Sequence, residues 1–169
     1  MSNLSKFVPH SGTFEWVAPD DVADPMLQTA ISHWQQIRRH RPFPARNDLK
    51  PQKIARLLPY MVLLKVIDGG KDFEHRIVGD VMVRAFNVPI QNRRFSEIAR
   101  DAPLLIEQAS IPFRRVVDTT APVAWRQHAG HEDTNIVFTR SEIVLLPLGS
   151  GAAVDHVVGF GIHETRAKG

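Results

Sequence analysis

Residues 60–78 read YMVLLKVIDGGKDFEHRIV. Residues 60–67 are apolar at every position except Lys65. Asp68-Gly69-Gly70-Lys71 then breaks the run, and residues 72–78 follow as a partner strand. Two such runs around a glycine turn predict a β-hairpin. A strand that is apolar on both faces needs cover on both sides of its sheet. The rest of the chain has to supply two covering layers.

Upstream, a helix opens at Asp24-Pro25. Aspartate suits the N-cap and proline the first helical position. Leu27, Ala30, Ile31, Trp34 and Ile37 follow at helical spacing, and Pro42 and Pro44 stop the helix. Leu27, Ile31 and Trp34 have two readings. They cover the outer face of their own sheet, or they pack against a second copy in a homodimer. A second, short helix is predicted over residues 49–57, with Asp48 as its cap and Pro59 as its end. Residues 1–23 show no period and contain Pro9 and Pro19, so they are expected to be an irregular arm. Phe7, Phe14 and Trp16 suggest that the arm packs on this chain or on another.

Downstream, the chain reads as broken helices and then strands. Residues 80–86 form one short helix, with Asn87 as a left-handed stop. Residues 95–100 form a single turn. Asp101 caps a helix toward Gln108, and Ser110 and Pro112 open the next, which runs to Asp118. Pro112 argues against one unbroken helix. Strands follow at 121–129, 135–148 and 153–164. The expectation is an α+β fold with a five-stranded antiparallel sheet. It divides into an arm (1–23), a helical segment (24–57), a core (58–165) and a tail (166–169).

Composition excludes several classes. The chain has no cysteine, which rules out disulfides, thiolate nucleophiles and thiolate metal sites. A reducing cytoplasm is the expected location. No apolar run approaches the roughly 18 residues of a membrane span, and the first residues do not read as a signal peptide. The charge is mildly basic, 21 Lys+Arg against 18 Asp+Glu. Arg38, Arg39, Arg41 and Arg46 cluster near His40, at a helix end where cations suit the dipole. Nucleic-acid binding through residues 38–56 would need affinity that falls steeply with salt, and it is not expected.

The element order of hairpin, broken helices and three antiparallel strands resembles the PAS domain. Local wording adds to the resemblance: Leu58-Pro59-Tyr60, Phe73-Glu-His-Arg76-Ile-Val-Gly79, Phe86-Asn87, Gln91-Asn-Arg-Arg-Phe-Ser-Glu-Ile98 and Val144-Leu-Leu-Pro147-Leu148. Over about residues 25–164 the chain is similar to the short PAS family found chiefly in alphaproteobacteria. In that family a leading helical pair precedes a hairpin with an Arg-x-x-Gly exit, and His33-Trp34 and Arg76–Gly79 match this. One position departs from the PAS pattern. Asn92 stands where a glycine commonly precedes the Arg-x-Phe-x-Glu segment, and asparagine tolerates the left-handed conformation.

The resemblance implies a non-catalytic sensor or adaptor that binds a small molecule, a signalling protein, or both. Cysteine-dependent flavin photochemistry is excluded. Haem is disfavoured, because residues 101–119 hold no histidine to serve as its axial ligand. The candidate pocket residues are His75, Arg76, Phe86, Phe113, Trp125, Arg140, His156 and Phe160. An inward arginine (Arg76, Arg126 or Arg140) would favour an anionic ligand. His75 and Arg76 lie on opposite faces of their strand, as do Trp125 and Arg126. His128, His131, Glu132 and Asp133 make the best metal-like cluster, but they fall at a strand end and turn where polar residues collect anyway. No functional metal is expected.

Asp155 and His156 are strand neighbours that should face apart, so no dyad is expected. Ser141 and Ser150 lack a nucleophile-elbow context. With no effector domain in view, the chain is expected to act by contact. The rival reading is a small enzyme on a ketosteroid-isomerase-like cone fold. It would use Asp80, Asp118 or His75 as a base in an apolar pocket.

Overall fold

The computed structural model describes residues 13–128 and 137–165. Its elements are β1 (Thr13–Val17), α1 (Pro25–Arg38), β2 (Met61–Ile67), β3 (Asp72–Val78), α2 (Asp80–Arg84), α3 (Phe95–Ile98), α4 (Pro103–Thr119), β4 (Val123–His128), β5 (Phe138–Leu148) and β6 (His156–Thr165). The strands form one antiparallel sheet in the order β1-β4-β5-β6-β2-β3.

The sheet has six strands, not five. The extra strand comes from the arm read as irregular: Thr13–Val17 pair along β4 from Thr13↔His128 to Val17↔Ala124. Phe14 and Trp16 pack on Trp125 of the same chain, with ring centroids 6.3 and 6.4 Å away. The Arg115 guanidinium lies 4.3 Å from the centre of the Trp16 ring. Phe7 lies outside the described residues.

Strand alternation sorts the core into two layers. Val144, Leu146, Met61, Leu63, Val158 and Phe160 are buried on the outer face, joined by register partners such as Met61↔Phe160 and Leu146↔Val158. Helix α1 covers this face. Asp24 caps it as expected, accepting from the Met26 amide at 2.8 Å and the Leu27 amide at 3.3 Å. Leu27, Ala30, Ile31 and Trp34 are buried beneath it. Trp34 Nε1 donates to the Pro147 carbonyl at 2.9 Å. The stripe is thus covered within its own chain, and a homodimer through Leu27, Ile31 and Trp34 would require α1 to leave its sheet. At the other end of α1, Arg41 donates to the carbonyls of Arg38 and Ile37 and pairs with Asp48 at 2.8 Å. Residues 49–57 do not form an α-helix. They hold only a short 3-10 turn at Pro51–Lys53, because Pro51 and Pro59 confine any helix between them.

Helices α2, α3 and α4 cover the inner face. Helix α4 runs unbroken through Pro112. Buried Leu105, Ile106, Phe113 and Val116 keep one stripe in phase on both sides of the proline. Tertiary packing of that stripe outweighs the hydrogen bond the proline cannot make.

Gly79 closes β3 and donates to the Met61 carbonyl at 2.7 Å. A Cβ there would collide with the carbonyl oxygens of Leu58 and Pro59. Backbone cannot yield as a side-chain tip can. Gly79→Ala is therefore expected to cost at least about 3 kcal/mol in urea denaturation, while Gly151→Ala, in open space, stays within about 0.5 kcal/mol. Equal midpoints for the two variants would refute the backbone-contact argument.

Candidate ligand cavity

A cavity of about 110 Å³ lies between the inner face of the sheet and α2–α4. Phe86, Phe95, Phe113, Trp125 and Phe138 line it. Val62, Ile143 and Leu145 come from the sheet, and Met82 from α2. The polar lining consists of His75, Gln108 and Gln127. No Asp, Glu, Lys or Arg lines it among the described residues.

His75 reaches the inner face through a register shift. Leu63 pairs with Ile77 and Leu64 with His75, so Arg76 is the extra residue of a β-bulge. The bulge turns His75 inward and leaves Arg76 exposed. Asn92 does adopt the left-handed conformation, with φ +57°. The turn there brings the Arg93 carbonyl to the β3 edge, where it accepts from the His75 amide at 3.0 Å and lies 3.1 Å from His75 Nδ1. A carbonyl only accepts, so the proton sits on Nδ1 and Nε2 is an acceptor. Burial pushes the His75 pKa down from 6.5 to about 4, partly opposed by the Arg93 carbonyl.

Four of the eight candidate pocket residues meet at the cavity: His75, Phe86, Phe113 and Trp125. The other four do not. Arg76 pairs with Glu74 at 2.6 Å on the surface. Arg140 is exposed and, as the register partner of His128, faces outward. Phe160 alternates to the outer face under α1. His156 pairs with Leu148 on that same face. Contrary to expectation, His156 Nδ1 lies 2.8 Å from Asp155 Oδ1. Asp155 precedes the first residue of β6, so strand alternation does not separate the two. Asp80 and Asp118 are exposed and do not line the cavity. Of the metal-like cluster, only His128 is among the described residues. Its Nδ1 is 2.8 Å from Thr13 Oγ1.

The structure also adds residues to the site. Gln127 Oε1 accepts from Trp125 Nε1 at 2.9 Å, two positions along the same face. The half-buried His163 ring lies tilted against Phe138 at 4.6 Å, with Nε2 3.2 Å from Met82 Sδ. Burial lowers its pKa to about 4. Its register partner Ser141 is buried, and Ser141 Oγ and His163 Nδ1 both lack hydrogen-bond partners. Period 2 from Ile143 could have placed Ser141 on this face, but nothing in the sequence marks His163 as inward.

A family model described as the PAS domain matches residues 22–162. The chain belongs to the PAS-domain family. PAS domains are sensory or signalling modules, and α1–α4, strands β2–β5 and the cavity lining of this one fall within the matched span, whereas β1 precedes it. No curated protein matches the chain. No helix among the described residues is long and apolar enough to cross a membrane.

His75 gives this PAS domain a defined acid sensitivity. Its folded pKa lies below the unfolded 6.5, so the unfolded chain binds the extra proton. Stability should fall as pH drops through 6.5 and level off below about 4. The His75 share is on the order of 3 kcal/mol. Urea denaturation between pH 7 and 4 should show a shallower pH slope for His75→Leu than for wild type. His163 adds to the slope in the same window.

Proposed function

We propose that this PAS domain is a non-catalytic sensor. Its input is a small neutral molecule in the inner cavity, and its output is altered contact with a signalling protein. The observation that carries the reading is the cavity wall of five aromatic rings with no formal charge at neutral pH. Apolar cavities of about 150 Å³ stay dry and take up benzene-sized molecules, and this one is of that order. Hydrolytic or isomerase chemistry would need a second titratable or nucleophilic group beside His75. The described lining offers none. An anionic ligand would lack a cationic partner there.

Residence in the cytoplasm fits a cysteine-free chain of this kind. A ligand shifts the output only if its affinity differs between two conformations of the domain. The coupling has a physical route, because β5 carries cavity residues on one face and the support of α1 on the other.

The test is thermal unfolding against a panel of small neutral compounds. At about 100 times Kd, a ligand should raise Tm by about 5 °C or more. Ala109→Phe, which fills the cavity from α4, should fold and lose the shift. A shift retained in that variant would place binding elsewhere and overturn the reading.

A further inference from the structure

The chemistry of the cavity wall narrows the ligand class, on the premise that the cavity is the ligand site. His75 Nδ1 is turned to the Arg93 carbonyl at 3.1 Å, so the side of the ring that lines the cavity is the Nε2 side. The tautomer makes Nε2 an acceptor. On α4, Gln108 and Pro112 both line the cavity without bringing a charge to it. The Trp125 indole N–H, the obvious donor, is already engaged by Gln127. The Gln127 amide group is on β4, four strands from β3 in the sheet order, and cannot serve His75. The Phe95 ring lies 5.6 Å from that of His75, and Phe113, also on the cavity wall, meets Phe95 edge-on at 5.3 Å.

An acceptor among aromatic rings, in a space of about 110 Å³, fits one kind of occupant. We infer that this PAS domain binds a monocyclic aromatic molecule bearing a neutral hydroxyl, a simple phenol, with the hydroxyl donating to His75 Nε2. The ring packs against Phe95 and Phe113. A carboxylate is rejected, because it brings a charge to a wall with no cation and an acceptor to a site that already presents one. Protonation of His75 would remove the acceptor, and its low pKa keeps the acceptor available across the neutral range.

The experiment is calorimetric titration of the full chain at pH 7 with phenol, toluene and benzoate, repeated on His75→Leu and His75→Gln. Toluene matches phenol in size and lacks the donor. In wild type, phenol is expected to bind at least as tightly as toluene despite its stronger hydration, and benzoate at least tenfold more weakly. In His75→Leu, phenol should weaken tenfold or more while toluene is retained, because a buried hydroxyl without a partner is costly. His75→Gln, which restores an acceptor, should recover part of the loss. Tighter binding of toluene than phenol in wild type overturns the donor assignment and leaves the cavity reading standing. Benzoate equal to phenol overturns the neutrality. Failure of all three compounds to bind wild type removes the cavity reading itself. The wild-type comparison decides even if a variant fails to fold.

Discussion

Burial of β5 and β6 on both faces is the constraint on which the rest of this PAS domain depends. Residues 144–149 of β5 and the following turn are buried without a break, and so are residues 157–161 of β6. Such strands expose no polar face, so two separate layers must close over them. Helix α1 closes one side and α2–α4 the other. The two closures differ in kind. The outer side is filled by Phe160, Leu146 and Trp34 at full packing, fixed by the indole hydrogen bond to Pro147. The inner side is left partly open. At its floor, β6 carries Gly159, where a Cβ would stand 2.8 Å from Leu145 and 2.9 Å from Val62. Both side chains lean over the glycine instead of standing up from the sheet. A side chain at position 159 would instead stand up from the floor beneath the cavity.

The outer layer is anchored by one carboxylate. Glu142 accepts from the Asp24 amide at 2.8 Å and the Ala23 amide at 3.1 Å, and it pairs with Arg126 at 2.6 Å. Arg126 also donates to the Asp21 carbonyl at 2.8 Å. Burial pushes the Glu142 carboxyl up, but the two amides and the guanidinium more than offset this and hold it below the usual range. Helix α1 therefore starts at a point fixed by β4 and β5, and the chain leading into it is held beside β4. This accounts for β1. The arm has to run along the β4 edge to reach Asp24, and there Phe14 and Trp16 find the Trp125 ring.

Most of the fold was legible because its signals are local. The hairpin at 60–78, the Asp24 cap and the order of the last three strands each rest on residues adjacent in sequence. The misses share a cause. Thr13–Val17 are a strand only because β4, more than a hundred residues on, offers an edge. Pro112 lies inside a helix only because an apolar stripe on both sides of it meets a sheet. The short piece over 49–57 failed in the opposite direction, since its prolines leave too little length for a helix and no packing compensates. In the site, Phe86, Phe113 and Trp125 were legible as apolar residues in helices or strands, but Phe160, whose strand is buried on both faces, and the charged candidates were not. Parity separates His75 from Arg76 without saying which of them faces in, and the bulge at Arg76 decides it for His75.

That bulge also explains why the cavity is neutral. On an unbulged β3, residues 74, 76 and 78 would share a face, and an inward Val78 would bring Arg76 in with it. The extra residue lets Val78 and His75 both face the core, with Val78 opposite Val62 and His75 opposite Leu64. The arginine then stays at the edge, where Glu74 neutralises it in water. Burying a guanidinium in a wall of phenylalanines without a partner would cost several kcal/mol, far more than one irregular pair in a ladder. The register shift is thus the cheaper solution to a sequence that places a histidine and an arginine side by side. Its consequence is chemical: the only titratable side chain on the described cavity wall is one that burial itself keeps neutral.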